Sequence, residues 1–131
     1  MTRPRPKQTA KQKAAKQKAD RAGRRAEPVA VWALRAKAYR IVARNYKCRL
    51  GEIDIIARRG RVLVFVEVKY RPHRDAAKAA VTPHQWGRIA RAAQDFTARH
   101  RAFRGLVWRF DMVVCAPRKL PRHIADCWRM R

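Results

Sequence analysis

Residues 51–70 read GEIDIIARRGRVLVFVEVKY, and their pattern sets the fold. Gly51–Arg58 and Arg61–Tyr70 are rich in Ile and Val, which predicts two strands. Arg59-Gly60-Arg61 between them is a short hairpin signal. The chain has only 9 Asp and Glu, yet Glu52, Asp54 and Glu67 lie inside these apolar runs. A buried carboxylate is costly unless it is paired or holds a metal. Strand side chains alternate between faces, so Glu52 and Asp54 share one face, and Glu67 and Lys69 share another strand's face. With Gly60 and Arg61 as a two-residue loop, Asp54 faces Glu67 and Glu52 faces Lys69. With Arg59 and Gly60 as the loop, Glu52 faces Glu67 instead. Either register is expected to gather all four residues on one face of the sheet.

Opposed side chains have Cβ atoms about 4.5–5.5 Å apart. Two carboxylates at that spacing repel, and one tends to protonate unless a hard cation lies between them. Such a cation would also bind a phosphate oxygen and lower the pKa of an attacking water. Lys69 would hold that water or stabilise charge on the phosphate. The plainer alternative is a salt bridge of Lys69 with Glu67 or Glu52 on an exposed sheet face. Both alternatives fit the residues.

Outside this stretch, Pro28–Lys37 predicts a first helix and Tyr39–Cys48 a strand. Arg71–Ala80 reads as a loop. Thr82, Pro83 and Gln85 form a capping box with proline in the first turn. Trp86, Ile89, Ala93 and Phe96 then recur at helical spacing as a buried face. Leu106–Cys115 predicts a last strand, and Ile124–Trp128 is expected to pack back on the domain. The order is αβββαβ, an α/β domain with a mixed sheet.

Charge bounds the function. The 34 Lys and Arg give a formal +25 over 131 residues. Solubility needs a magnitude of only about 2–8 in a small domain. A nucleic acid or an anionic membrane surface is the natural partner. Residues 1–22 are expected to form a disordered basic arm, because alanine supplies almost all their apolar content. The folded domain would then span 23–131 and remain strongly basic. No run approaches the roughly 20 apolar residues of a membrane span, and no apolar segment of a secretory signal follows the N-terminal charges. A convincing amphipathic helix with bulky apolar residues is also missing, which weighs against membrane attachment. Cys48, Cys115 and Cys127 are widely spaced, with no CxxC pair or zinc pattern. They read as thiols in a reducing compartment, and the cytoplasm is the expected location.

The Asp54 and Glu67-Val68-Lys69 pattern resembles the PD-(D/E)xK nuclease superfamily. More narrowly, the chain resembles the YraN-like family of predicted endonucleases, related to archaeal Holliday-junction resolvases. The matching stretches are residues 43–46 (ARNY), 51–56 (GEIDII), 64–71 (VFVEVKYR), 81–83 (VTP) and 109–111 (RFD). The resemblance implies a restriction-endonuclease-like core and a divalent cation, Mg²⁺ or Mn²⁺. It implies Asp54, Glu67 and the Val68 carbonyl as metal ligands, and Lys69 as the catalytic lysine. Glu27 stands where the superfamily often adds a helical glutamate. Here it sits between Ala26 and Pro28, where the family usually has Gly-Glu. Around Asp75-Ala76-Ala77 a family glycine is missing, and His84 replaces the usual lysine after Thr-Pro.

The expected activity is hydrolysis of phosphodiester bonds in DNA, with branched or otherwise structured DNA as the candidate substrate. Arg49, Arg71, Arg88 and Arg91 are the expected phosphate contacts, and Glu52 and Gln85 would support the site. By analogy with resolvases a homodimer is admitted. The alternative is a catalytically inactive DNA- or RNA-binding protein. Asp111 is expected to be structural and paired with Arg109. His73, His84, His100 and His123 lack metal-ligand spacing and read as surface residues. Trp32, Trp86, Trp108 and Trp128 could stack on bases, but their spacing favours the core.

Overall fold

The computed structural model describes residues 9–10, 26–72 and 81–130. The expected basic arm therefore falls almost wholly outside the described residues, as does most of the expected loop at 71–80. Among the described residues, helix α1 covers 26–36 and includes the proline expected to open it. Strands β1 (Arg40–Cys48), β2 (Gly51–Arg59) and β3 (Val62–Tyr70) follow. Helix α2 (Pro83–Arg99) and a 3-10 turn at Arg101–Phe103 lead to β4 (Val107–Cys115) and β5 (Arg122–Trp128).

The strands form one five-stranded sheet in the order β1-β2-β3-β4-β5. Strands β1 to β3 are antiparallel, β3 and β4 are parallel, and β5 returns antiparallel to β4. A parallel pair needs a long crossover, and α2 supplies it. The sheet is thus mixed, an α/β architecture with helices packed against it.

The two helices organise two apolar clusters. Ala30, Val31 and Leu34 of α1 pack with Ile55, Val64, Val66 and Val113 of the sheet. Trp86, Ile89, Ala93 and Phe96 of α2 pack with Ile53, Ile56, Leu63, Phe65 and Phe110. Being covered on both sides, β3 is buried from Leu63 to Val66. This explains why its sequence is a continuous apolar run.

The α2 cap forms as its sequence directs. Thr82 Oγ1 accepts from the Gln85 amide at 3.1 Å, and Gln85 Oε1 accepts from the Thr82 amide at 3.1 Å. The β2–β3 hairpin closes at Arg59 and Val62, which leaves Gly60-Arg61 as the loop. Gly60 has φ 60°, the left-handed region that favours glycine at the first loop position of a II′ turn.

Two expectations are corrected. Ile124–Trp128 does more than pack back, because residues 122–128 complete the sheet as an edge strand. Few of its residues are bulky and apolar, so no alternation announces it; the unpaired edge of β4 recruits it. Trp32 is 59% exposed and does not belong to the core, whereas Trp86 is buried. Trp108 and Trp128 are half-buried and pack against the α2 cluster. Among the described residues, no helix is long and apolar enough to cross a membrane.

Candidate active site

The hairpin register decides which residues meet. Its paired positions run from Arg59 opposite Val62 to Ile55 opposite Val66. Continuing that register sets Asp54 opposite Glu67 and Glu52 opposite Lys69, as a Gly60-Arg61 loop requires. Regular pairing stops at Ile55, however, and the Asp54 side chain takes over. Its Oδ2 accepts a hydrogen bond from the Val68 amide at 2.8 Å.

Strict alternation fails at this point. Ile53 packs in the α2 cluster, but Ile55, two residues on, packs in the α1 cluster. The neighbouring strand turns over at the same level. Arg44 reaches Glu27 on α1, whereas Tyr46 donates to Asp95 on α2 and packs edge-on against Phe96. Between them Asn45 has φ 52°, a left-handed conformation that asparagine tolerates better than most residues. The β1–β2 register pairs Arg44 with Ile55 and Tyr46 with Ile53, which sets Asn45 beside Asp54. The expectation of one uninterrupted face is therefore corrected. Asp54 sits at a local reversal of the strand pair, where the regular ladder gives way.

The candidate residues still gather around Glu67. Lys69 Nζ lies 3.1 Å from Glu67 Oε1, with both side chains largely shielded. Burial pushes the Asp54 carboxyl up to about 7, helped by the Glu67 charge and a hydrogen bond shared with it. The Val68 amide and the Lys69 charge pull the other way but do not prevail. Glu52 and Glu67 line a hollow of about 120 Å³ together with Gln85, Arg88 and Ile89 of α2. Gly51 makes this approach possible, since a Cβ there would lie 2.7 Å from the Arg88 carbonyl oxygen. Gln85 thus closes the helix cap and lines the hollow.

The remaining candidates are dispersed. Glu27 Oε1 accepts from Arg44 Nε at 3.2 Å and from Asn45 Nδ2 at 3.1 Å. Its carboxylate is therefore engaged on β1 by Arg44 and by Asn45, the residue beside Asp54. Arg49 is exposed in the β1–β2 turn. Arg71 donates its guanidinium to the Tyr70 carbonyl at 2.8 Å, just past the end of β3. Arg88 lies at the hollow, but Arg91 lines a different groove, between α2 and the end of β5.

The donor set suits a hard divalent cation. Two carboxylates meet where burial, and after it their repulsion, raises one pKa, and oxygen ligands favour Mg²⁺ or Mn²⁺. In an extended strand the N–H and C=O of one residue point toward the same neighbour. The Val68 carbonyl is accordingly directed to the side on which its amide meets Asp54. Among the described residues, no group of three or more His, Cys, Asp or Glu is placed to hold a metal. A cation here would rely on two carboxylates, that carbonyl and water, which suits Mg²⁺ because it keeps several waters.

A second polar cluster lies on the α1 side of the sheet. Asp111 on β4 is fully buried. Arg109 grips it with two hydrogen bonds of 2.8 and 2.7 Å, as expected from their spacing. His123 Nε2 lies 2.6 Å from its Oδ2, and the Asp126 amide donates at 3.0 Å. Arg109 also donates to the Tyr39 hydroxyl, and the Arg59 guanidinium stacks over the Tyr39 ring at 4.3 Å. His123 was expected at the surface, but its side chain is only 5% exposed. Its role required β5, which the sequence did not announce. His84 and His100 are exposed, and His73 lies outside the described residues.

Known proteins share this framework. The model of the uncharacterised protein family UPF0102 matches residues 26–115, which take in the described part of α1 and run to the end of β4. A UPF0102 protein of Parvibaculum lavamentivorans is 51% identical over 109 residues, covering 83% of this chain and 82% of the relative. One from Paramagnetospirillum magneticum is 47% identical over 120 residues, covering 88% and 93%. A third, from Brucella canis, is 49% identical over 102 residues, covering 78% and 81%. Both strands of the candidate site and the α1 carboxylate fall inside the matched region. The chain belongs to the uncharacterised protein family UPF0102.

Proposed function

We propose that this protein is a metal-dependent DNA endonuclease with a PD-(D/E)xK-type site, of the YraN-like group that its sequence resembles. The observation that carries the reading is the Asp54 carboxyl, raised to about 7 beside Glu67 and within the field of Lys69. A purely structural acid gains nothing from such a position. A buried acid perturbed by a neighbouring carboxylate is a frequent mark of a functional site, and that neighbour, Glu67, lines the hollow.

Asp54, Glu67 and the Val68 carbonyl would hold Mg²⁺ or Mn²⁺. When bound, the cation would neutralise phosphate charge and make water a better nucleophile. Lys69 orients that water or a phosphate oxygen through its ammonium, while its contact with Glu67 fixes its position. In the hydrolysis, water adds its oxygen to phosphorus, one P–O ester bond breaks, and a proton passes to the leaving sugar oxygen. Arg88 at the hollow, with Arg49 and Arg71 farther out, supplies phosphate contacts without sequence readout. Branched or otherwise structured DNA is the substrate class that kinship with resolvases suggests, and a homodimer follows the same analogy. Three free thiols suit a reducing cytoplasm.

The deciding experiment is cleavage of linear, nicked, flap and four-way-junction DNA with Mg²⁺ or Mn²⁺, using wild type, Asp54→Ala and Lys69→Ala. Metal-dependent cutting lost in both variants supports the site. Cutting that survives both sinks it. Tight, salt-sensitive binding with no cleavage of any substrate favours an inactive nucleic-acid-binding protein, a reading motivated by the +25 charge.

A further inference from the structure

We propose that the groove between α2 and the C-terminal end of β5 binds the bases of single-stranded DNA. This goes beyond the nuclease reading, because it concerns a separate surface and holds whether or not the protein cuts.

The groove encloses about 750 Å³, within the range of about 300–1,000 Å³ typical of ligand pockets. Trp128 and Met130 give it an apolar wall, Gln94 adds an amide, and Arg91 and Arg129 carry guanidinium groups. None of the described residues that line it carries a carboxylate. Trp128 is held in place: it stacks on Trp86 at 6.3 Å and 9°, and meets Phe110 edge-on at 5.4 Å. Arg129 is steadied by Asp126, whose Oδ2 lies 2.7 Å from its Nη2. A fixed indole beside cationic side chains matches a flat base carried on a phosphate chain.

Gly87 supplies an independent argument. It lies within the 17-residue α2 and lines the groove. Glycine weakens a helix interior relative to alanine. Packing does not demand it here, since the nearest atom to an added Cβ is Arg91 Nη1 at 4.0 Å. A side chain at 87 would project into the groove, so glycine keeps that space open. Bases of a duplex are stacked inside it and cannot enter, which makes the groove selective for single strands. Gly87 lines this groove, and the next residue, Arg88, lines the Glu67 hollow. One helix, about 10–12 Å wide, separates the two.

The test is anisotropy titration of the full chain, in EDTA and at fixed salt, with labelled oligo-dT and with a blunt duplex. Gly87→Leu fills the groove and should not lower the melting temperature. It should weaken oligo-dT binding about 10-fold or more, as expected from losing at least one stacked base. Duplex affinity should stay within about 2-fold, since phosphate contacts remain. Gln94→Glu, which sets a carboxylate on the groove wall, should also weaken oligo-dT binding and serves if Gly87→Leu fails to fold. Unchanged oligo-dT binding, or equal loss on both DNAs, overturns the proposal. So does a wild-type dimer that Gly87→Leu dissociates, because the occupant would then be a second copy of the chain.

Discussion

Two aspartates in the sheet meet opposite fates. Asp111 on β4 is fully buried and answered from several sides, by Arg109, His123 and the Asp126 amide. Despite the burial that opposes it, these donors hold its carboxyl down at about 2. Asp54 on β2 has one backbone donor and a second carboxyl as its neighbour, and it rises to about 7. The fold itself completes the first acid. The second is left short of positive charge in a chain that carries 34 Lys and Arg, so shortage of cations is not the reason. An acid that the fold could have neutralised and did not is the better candidate for chemistry.

The largest expected effect concerns the completed acid. Asp111→Ala strands Arg109 and His123 and should cost about 3–5 kcal/mol, as when one partner of a buried ion pair is removed. Urea denaturation would measure it. A loss below about 1 kcal/mol would remove the contrast between the two aspartates.

Asp54→Ala should instead leave a folded protein and lower metal-dependent cleavage by at least about 100-fold, beyond the usual effect of removing a ligand's supporting partner. Single-turnover assays at saturating Mg²⁺ would read this. Unfolding as severe as that of Asp111→Ala would show that Asp54 is structural.

Linkage sharpens the comparison further. The Asp54 pKa is raised on folding, so its stabilising contribution is complete below about 3.8 and is lost as pH rises through about 7. The Asp111 pKa is lowered, so its contribution is present above about 3.8 and lost as pH falls through about 2. Without metal, the Asp54 contribution to stability should therefore fall between about pH 4 and 7, and Asp54→Asn should remove that slope. Millimolar Mg²⁺ should restore several degrees of melting temperature to wild type near neutral pH, and little to the variant. Thermal scans across pH with and without Mg²⁺ would check both; an identical Mg²⁺ response in the variant would break the proposed metal site.

The smallest effect is expected at Glu27. Its contacts with Arg44 and Asn45 are those of a partly exposed pair. Glu27→Gln should change stability by about 1 kcal/mol or less. Cleavage should fall less than about 10-fold, whereas a loss matching Asp54→Ala would bring Glu27 into the site.

Local chemistry alone determined much of this molecule. Ile and Val runs around a glycine turn specified the β2–β3 hairpin but left two loop registers open, and the structure chose Gly60-Arg61, the register that sets Asp54 toward Glu67. Thr82, Pro83 and Gln85 wrote the start of α2 because a helix cap is completed within four residues. The spacing of Arg109 and Asp111 on one strand face likewise exposed their pairing. Tertiary structure decided the rest. Strand β5 exists because the edge of β4 offers hydrogen bonds, and only then does His123 reach Asp111. The reversal at Asn45 and Asp54 depends on which helix each side of the sheet must meet, and asparagine permits that backbone without compelling it. The sequence determined which acids share the hairpin; only the packing of two helices on opposite faces decided that Asp54 would stand where the ladder opens.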